Sequence, residues 1–371
     1  MLNASNEFRG LLKKFDFLLM SLTIITAVFG IIIISSAGGE NATRYVTVQT
    51  VALLIGVVAI VVLMILDYEY LANLSMYIFI ACVGLLVLVA IPGIGRVENG
   101  ARSWFSLGPI SFQPAEIAKI GFIITFSKQL SELDGDINSP KNILKLLAHI
   151  AIFCGLILLQ PDFGTAVVFA VMAFGMLFVA KISWKYIVGG FSALAAVVPI
   201  AWFFFLKEYQ KNRIINVFNP ENDPSGSGYH VIQSKIAVGS GKVFGTGLYK
   251  GSSQFNNLLP ERHTDFIYSV VCEELGMLGG ILVILLLVSI IARCLYVGMN
   301  SRNKLGMYIC TGVAAMFIFQ SFENIGMCIG IFPVTGITLP FFSYGGSSLL
   351  TNMIAIGLVI NVHYRCKYIN F

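Results

Sequence analysis

The chain has 371 residues, of which 57% are hydrophobic and 12% charged, with a formal net charge of +5 and a mean hydropathy of +0.84. Soluble domains carry about 25% charged residues, so this composition excludes a soluble enzyme and identifies an integral membrane protein. The small basic excess is accounted for by loop placement, which leaves no case for a nucleic-acid partner.

About ten apolar stretches are long enough to cross a hydrocarbon layer of roughly 30 Å as helices. They lie near 15–37, 46–66, 70–91, 114–130, 142–159, 163–181, 184–206, 264–292, 305–332 and 345–365. The sequence therefore predicts an all-α polytopic membrane protein forming one integral membrane domain over 1–371. Extracytoplasmic segments are expected near 92–113 and 207–263, the second being a large loop between helices 7 and 8.

Arg9, Lys13 and Lys14 precede the first span. No small-residue cleavage site follows and the apolar core is too long for a signal peptide, so this span is expected to stay attached. Loops on the same side carry Lys128, Lys141, Lys145, Lys181, Lys185, Arg293, Arg302, Lys304, Arg365 and Lys367. The opposite short loops carry Arg44, Arg96 and Arg102. This asymmetry predicts cytoplasmic termini.

The Gly- and Pro-rich connection at 92–113 predicts a folded or re-entrant segment instead of a plain turn. Within it Trp104 suits an interfacial anchor, and the planar fork of Arg102 suits a phosphate. The next span opens with Gln113-Pro114-Ala115-Glu116, placing Pro114 in the first turn and Glu116 and Lys119 on one face. Either charge in lipid costs roughly 2.5–3.5 kcal/mol, so both should point inward and pair. The pair is either structural or a device by which Glu116 fixes Lys119 for an anionic head group.

Gln160-Pro161-Asp162 joins two spans so tightly that it predicts a sharp corner, with Asp162 either capping the following helix or serving as a catalytic acid. Further on, Tyr229–Val238 predicts a short amphipathic helix on the membrane surface. The glycines of 239–247 lack the spacing of a phosphate loop and predict tight turns over that surface.

Asp265 stands where this polar segment meets an apolar run, a costly position for a carboxylate and by default a functional one. Glu273, Glu274 and Glu323 read as buried acids engaged in internal pairing or hydrogen bonding, or as parts of a proton or ion path. Residues 332–348 break an apolar run with Pro, Gly and hydroxyl groups, which requires cover by protein or a wet cavity. The seven cysteines show neither a disulfide framework nor metal-ligand spacing.

The blocks ArgSerTrpPhe, PheGlnProAlaGluIleAlaLys, GlnProAspPheGlyThrAla, GlyTyrHisValIleGlnSerLysIleAlaValGlySerGly, LeuProGluArgHisThrAspPheIle, GluGluLeuGly and ProPhePheSerTyrGlyGlySerSer run the length of the chain. In content and order they resemble the SEDS family (shape, elongation, division and sporulation). The wording IleGlnSerLysIleAla and IleGlyMetCysIleGlyIlePheProValThrGlyIle looks more like the elongation branch. Many relatives have Ser where Ala115 stands, a change too small to alter the expected activity.

The resemblance implies a ten-helix peptidoglycan glycosyltransferase of the bacterial cytoplasmic membrane, polymerising lipid II on the outer face. It also implies a class B penicillin-binding protein and other elongation-complex proteins as partners, and it places the catalytic aspartate on Asp265. Pyrophosphate leaves readily, so one base suffices. Thr264 and His263 are expected to orient Asp265. Arg102, Lys119, Arg213 and Lys235 are candidate cations for the leaving group. Trp104, Glu116, Gln233 and Ser343 complete the candidate substrate-binding set.

A divalent cation, Mg2+ or Mn2+, bridged by Asp265 or Glu116 is admissible, although no ligand spacing demands one. The polyprenyl tail requires a lateral apolar groove. The rival readings are a lipid-linked precursor flippase or transporter, and a non-catalytic membrane scaffold.

Overall fold

The computed structural model describes residues 15–98, 101–107, 110–204, 208–223, 226–251 and 259–366. The basic residues Arg9, Lys13, Lys14 and Lys367, used above to orient the chain, lie outside them. The described helices are α1 (Phe17–Ala37), α2 (Ala42–Ile65), α3 (Tyr68–Asn73), α4 (Ser75–Ala90), α5 (Pro114–Glu132), α6 (Pro140–Leu158) and α7 (Phe163–Val179). They continue with α8 (Trp184–Phe204), α9 (Glu208–Phe218), α10 (Ser227–Ser240), α11 (Ile267–Met299), α12 (Lys304–Cys328) and α13 (Gly346–Cys366). A helix occupies each of the expected apolar stretches. Seven are long and apolar enough to cross a membrane, while α4 and α7 are shorter and α5 carries the Glu116 and Lys119 charges.

Buried side chains from α1 to α7 and from α11 to α13 form one apolar cluster. The most extensive helix pairings are α13 with α2, α11 with α12, and α12 with α7. Backbones approach closely at glycines: a Cβ at Gly30 of α1 would run into the Phe341 carbonyl, and one at Gly56 of α2 into Met353. By contrast, α8 carries no buried residue among those described.

Two features depart from the expected architecture. Between residues 96 and 112 the described residues form a small antiparallel sheet ordered β1 (Arg96–Glu98), β2 (Ala101–Leu107) and β3 (Ile110–Phe112). Helix α10 does not simply lie on a surface. Its Val231, Ser234 and Ala237 face is buried against α11, and Ser234 Oγ donates to Cys328 O at 2.7 Å.

The glycine-rich segment after α10 makes the tight, largely exposed turns that its sequence suggests, and it also does something the sequence does not show. Helix α11 breaks at Gly276 (φ 68°, ψ −165°), which frees backbone groups on both sides. Residues 242–247 fill that gap. Thr246 N donates to Glu273 O at 3.0 Å and Gly247 N to Glu274 O at 2.9 Å, while Met277 N donates to Lys242 O at 2.9 Å and Leu278 N to Val243 O at 3.3 Å. Gly245 (φ 78°) and Gly276 meet backbone to backbone, where neither a Cβ nor an ordinary L conformation fits. Broken helical backbone inside a membrane is tolerated when protein satisfies it in this way.

Candidate active site

The site collects at the end of the bundle where α1, α4, α6 and α12 finish and α2, α5, α7, α11 and α13 begin. Between α12 and α13 the chain runs without helix through Pro333–Ser343. Pro333, Pro340 and the left-handed Gly336 (φ 80°) prevent it from coiling. Its polar backbone is pinned from several sides. Gln49 Nε2 donates to Ser343 O at 3.0 Å, and Gln49 Oε1 accepts from Gly345 N at 3.1 Å. Asn324 Nδ2 donates to Ile337 O at 2.8 Å.

Asp265 is half-buried on the turn that leads into α11. Its backbone is fixed twice, with N donating to Glu261 O at 3.1 Å and O accepting from Asn324 Nδ2 at 2.8 Å. A Cβ added at Gly336 would lie 3.6 Å from Asp265 Oδ2, so the 333–343 segment walls one side of the carboxyl. Burial, reinforced by Glu261 and opposed by Arg213, pushes this carboxyl up to about 7.

The neighbours expected to orient Asp265 act on its backbone turn. Thr264 Oγ1 donates to Glu261 Oε2 at 3.1 Å, and Thr264 O accepts from Ser343 Oγ at 2.6 Å. His263 O accepts from Tyr344 N at 2.8 Å. The His263 ring stacks on Tyr45 with centroids 4.4 Å apart, and its burial lowers its proton affinity. Arg262 points away, its Nε donating to Ala37 O at 2.7 Å. Ser343 and Thr264 therefore clip the broken segment to the Asp265 turn.

A second polar cluster lies behind the same wall. Lys119 Nζ sits 2.9 Å from both Glu116 carboxylate oxygens, and both residues are buried. Asp162 caps α7, accepting from Thr165 N at 3.0 Å and from Gln113 Nε2 at 3.1 Å. Lys119 and Glu116 both act on its charge, but burial dominates and raises its proton affinity. A Cβ at Gly164, beside Asp162, would meet Thr335 and Ile337 at 3.0 Å. The 335–337 segment thus packs against both the Asp265 turn and the start of α7 next to Asp162.

The remaining candidates are placed as follows. Arg213 on α9 acts electrostatically on Asp265. Lys235 on α10 lays its stem over Gly330 (φ 75°), where a Cβ would strike it. Gln233 is half-buried on α10. Arg102 and Trp104 sit on β2, Trp104 in register with Arg96 and Arg102 with Val97. Arg102 Nε is buried without a hydrogen-bond partner. The chain brings Ser343, His263 and Thr264 to the Asp265 turn, and Lys119 and Glu116 to the group behind the wall.

Sequence reading passed over Asn324 and Gln49, amides in apolar helices that reach Asp265, 59 positions away, and Gly345, 296 positions away. Glu274, read as a buried acid, accepts from Ser36 Oγ on α1. A lateral groove of about 460 Å³ opens between α4, α5 and α13, lined by Ile78, Cys82, Ile117, Ile120, Leu350 and Ile354. Phe112 of β3 closes its site end.

A polytopic helical bundle that folds an interrupted segment around a half-buried aspartate defines a class of membrane protein with a known family. The FtsW/RodA/SpoVE cell cycle protein model matches residues 13–368, and the chain belongs to that family. It is 34% identical over 355 residues to peptidoglycan glycosyltransferase MrdB of Escherichia coli K12, covering 95% of this chain and 93% of that one. Stage V sporulation protein E of Bacillus subtilis is 36% identical over 361 residues, with 95% and 98% covered.

Among solved structures, one described as coordinating polymerization and crosslinking in a peptidoglycan synthase complex superposes with a TM-score of 0.84 at 33% identity, covering 96% of this chain and 99% of that one. The rod shape determining protein RodA of Thermus thermophilus superposes at 0.72 and 30% identity, with 96% and 98% covered.

Proposed function

We propose that the chain is a peptidoglycan glycosyltransferase that polymerises lipid II into glycan strands at the outer face of the bacterial cytoplasmic membrane during elongation. The observation that carries this reading is Asp265, a carboxyl half-buried beside a cation, Arg213, with a proton affinity near neutrality. A general base works best when its pKa lies near the operating pH.

In the proposed step Asp265 removes the proton from the acceptor sugar 4-hydroxyl as that oxygen bonds to the anomeric carbon of the donor. The bond from that carbon to the diphosphate breaks with inversion, and the polyprenyl diphosphate leaves. Arg213 and the Glu116-held Lys119 are the cations proposed to offset its growing charge. Arg102, Trp104, Gln233, Lys235 and Ser343 are proposed to shape the sugar and diphosphate sites. The apolar groove between α4, α5 and α13 has the chemistry of a polyprenyl chain.

Among the described residues no group of three or more His, Cys, Asp or Glu side chains converges as a metal cage. A hydrated Mg2+ or Mn2+ needs only one or two protein carboxylates, and Asp265 fits that role. Such an ion would neutralise diphosphate charge.

The family resemblance and the peptidoglycan synthase complex support a class B penicillin-binding protein as partner. The basic loops support cytoplasmic termini with the Asp265 end outside. The test is to supply purified protein with lipid II, with and without a class B penicillin-binding protein, and to resolve products by length. Long glycan chains that vanish in Asp265→Asn support the reading. Transbilayer movement of lipid II without new glycosidic bonds would support the flippase instead.

A further inference from the structure

Three aromatic side chains from separate parts of the chain meet at the Asp265 end of the bundle. Tyr45 lies in the first turn of α2, His263 two residues before Asp265, and Tyr344 just before α13. The Tyr45 and His263 rings are nearly parallel, with centroids 4.4 Å apart. Tyr344 leans on both, 4.5 Å from Tyr45 and 5.6 Å from His263. All three residues are half-buried, so each keeps part of its surface open.

The cluster is held through its backbone. Tyr344 N donates to His263 O at 2.8 Å, and Ser343 Oγ donates to Thr264 O at 2.6 Å. Gln49, one turn beyond Tyr45 on α2, straddles Tyr344 by bonding Ser343 O at 3.0 Å and Gly345 N at 3.1 Å. The side-chain tips are left unspent. Among the described residues, neither phenol hydroxyl and neither His263 ring nitrogen has a hydrogen-bond partner, and none of these atoms is a buried orphan.

Tyrosines near a membrane surface ordinarily serve as anchors turned toward the head groups. These two turn onto His263 instead. Core packing does not account for them either, because a tyrosine in a core is covered and its hydroxyl usually finds a partner. A fixed group of aromatic rings with free polar tips suits a ligand that carries a flat apolar face rimmed by hydroxyls.

A pyranose has that shape. In a β-linked sugar of glucose configuration the hydrogens on C1, C3 and C5 project from one face, and their slight positive charge suits the negative face of an aromatic ring. We propose that Tyr45, His263 and Tyr344 form a saccharide platform that holds one pyranose of the substrate beside the Asp265 turn, with the phenol and imidazole tips bonding its hydroxyl or acetamido groups. Its occupant is a sugar of incoming lipid II or a unit of the growing strand. The platform rests on the glycosyltransferase reading given above and supplies a site for its sugar.

Initial rates are measured against lipid II concentration for the native chain, Tyr45→Leu and Tyr45→Phe, with thermal melts to establish folding. Tyr45→Leu removes the ring and is expected to raise KM about tenfold while kcat stays within about twofold, the pattern of lost binding. Tyr45→Phe keeps the ring and should stay within about threefold of the native KM. Tyr344→Leu takes its place if Tyr45→Leu does not fold.

Saturation-transfer NMR with a soluble β-linked tetrasaccharide of the glycan strand, free of lipid and peptide, separates the two occupants. Saturation strongest at H1, H3 and H5, present in Asp265→Asn and lost in Tyr45→Leu, assigns the platform to the strand. A raised KM without such a loss assigns it to the lipid-linked sugar. A folded Tyr45→Leu chain that keeps both the native KM and the native saturation overturns the platform, whatever happens to kcat. If the native chain makes no glycan and gives no saturation, the glycosyltransferase reading falls with it.

Discussion

The Asn324 amide nitrogen bridges two carbonyls, Asp265 O and Ile337 O, at 2.8 Å each, so one buried side chain on α12 joins the turn bearing the aspartate to the broken segment that walls it. Asn324 itself has no exposed surface. Replacing it with alanine leaves both carbonyls without that donor, at about 1–3 kcal/mol for each buried group. Asn324→Ala is expected to lower the melting temperature in detergent and to reduce polymerisation more than substrate binding. Native stability together with native activity would contradict the clamp.

Asp265 gives a prediction with two signs. As a base it must be ionised, so polymerisation should rise with pH through about 7 and then level off. Stability should run the other way. Unfolded, the carboxyl ionises near 4; between that pH and about 7 the unfolded chain has lost a proton that the folded chain keeps. Folding stability from this group is therefore fully present below the lower value, declines as pH rises, and stops declining above about 7. Asp265→Asn should cost about 100-fold or more in rate while melting no lower than the native protein at pH 8. Thermal scans at pH 5 and pH 8 check the second half.

The Glu116–Lys119 pair separates structure from chemistry. Lys119→Met strands a buried carboxylate, and breaking a buried pair typically costs about 3–5 kcal/mol. The double change Glu116→Gln with Lys119→Met should recover much of the folded yield. If Lys119 meets the diphosphate, the double variant should still polymerise poorly; full activity would leave the pair a structural one.

The lateral groove can be filled. Leu350→Trp and Ile120→Trp place bulk in the space between α4, α5 and α13. Both should weaken use of long-chain lipid II while sparing a short-chain analogue, because only the longer tail needs that volume. Equal loss with both substrates would remove the groove from the tail site.

The helices were legible because apolar length alone determines them, and Pro114, Asp162 and the Glu116–Lys119 spacing carry their local meaning in a few residues. The sheet at 96–112 was not, since two of its three strands have only three residues and leave too little alternation to recognise. Asp265 stood out as a charge at an apolar boundary. What surrounds it did not, because Asn324, Gln49 and Thr335 act on partners that only the folded chain brings near. The turns of 239–247 were legible, but their pairing with the broken helix was not. Glycine in a membrane helix is common enough that Gly276 gives no warning of a break, and nothing local says that an earlier segment mends it.

That repair also bears on how the protein is made. Residues 242–247 leave the ribosome before α11 does, so the segment that completes the interrupted helix is already synthesised when that helix enters the bilayer. Were the order reversed, the carbonyls of Glu273 and Glu274 and the amides of Met277 and Leu278 would enter hydrocarbon before their partners were made.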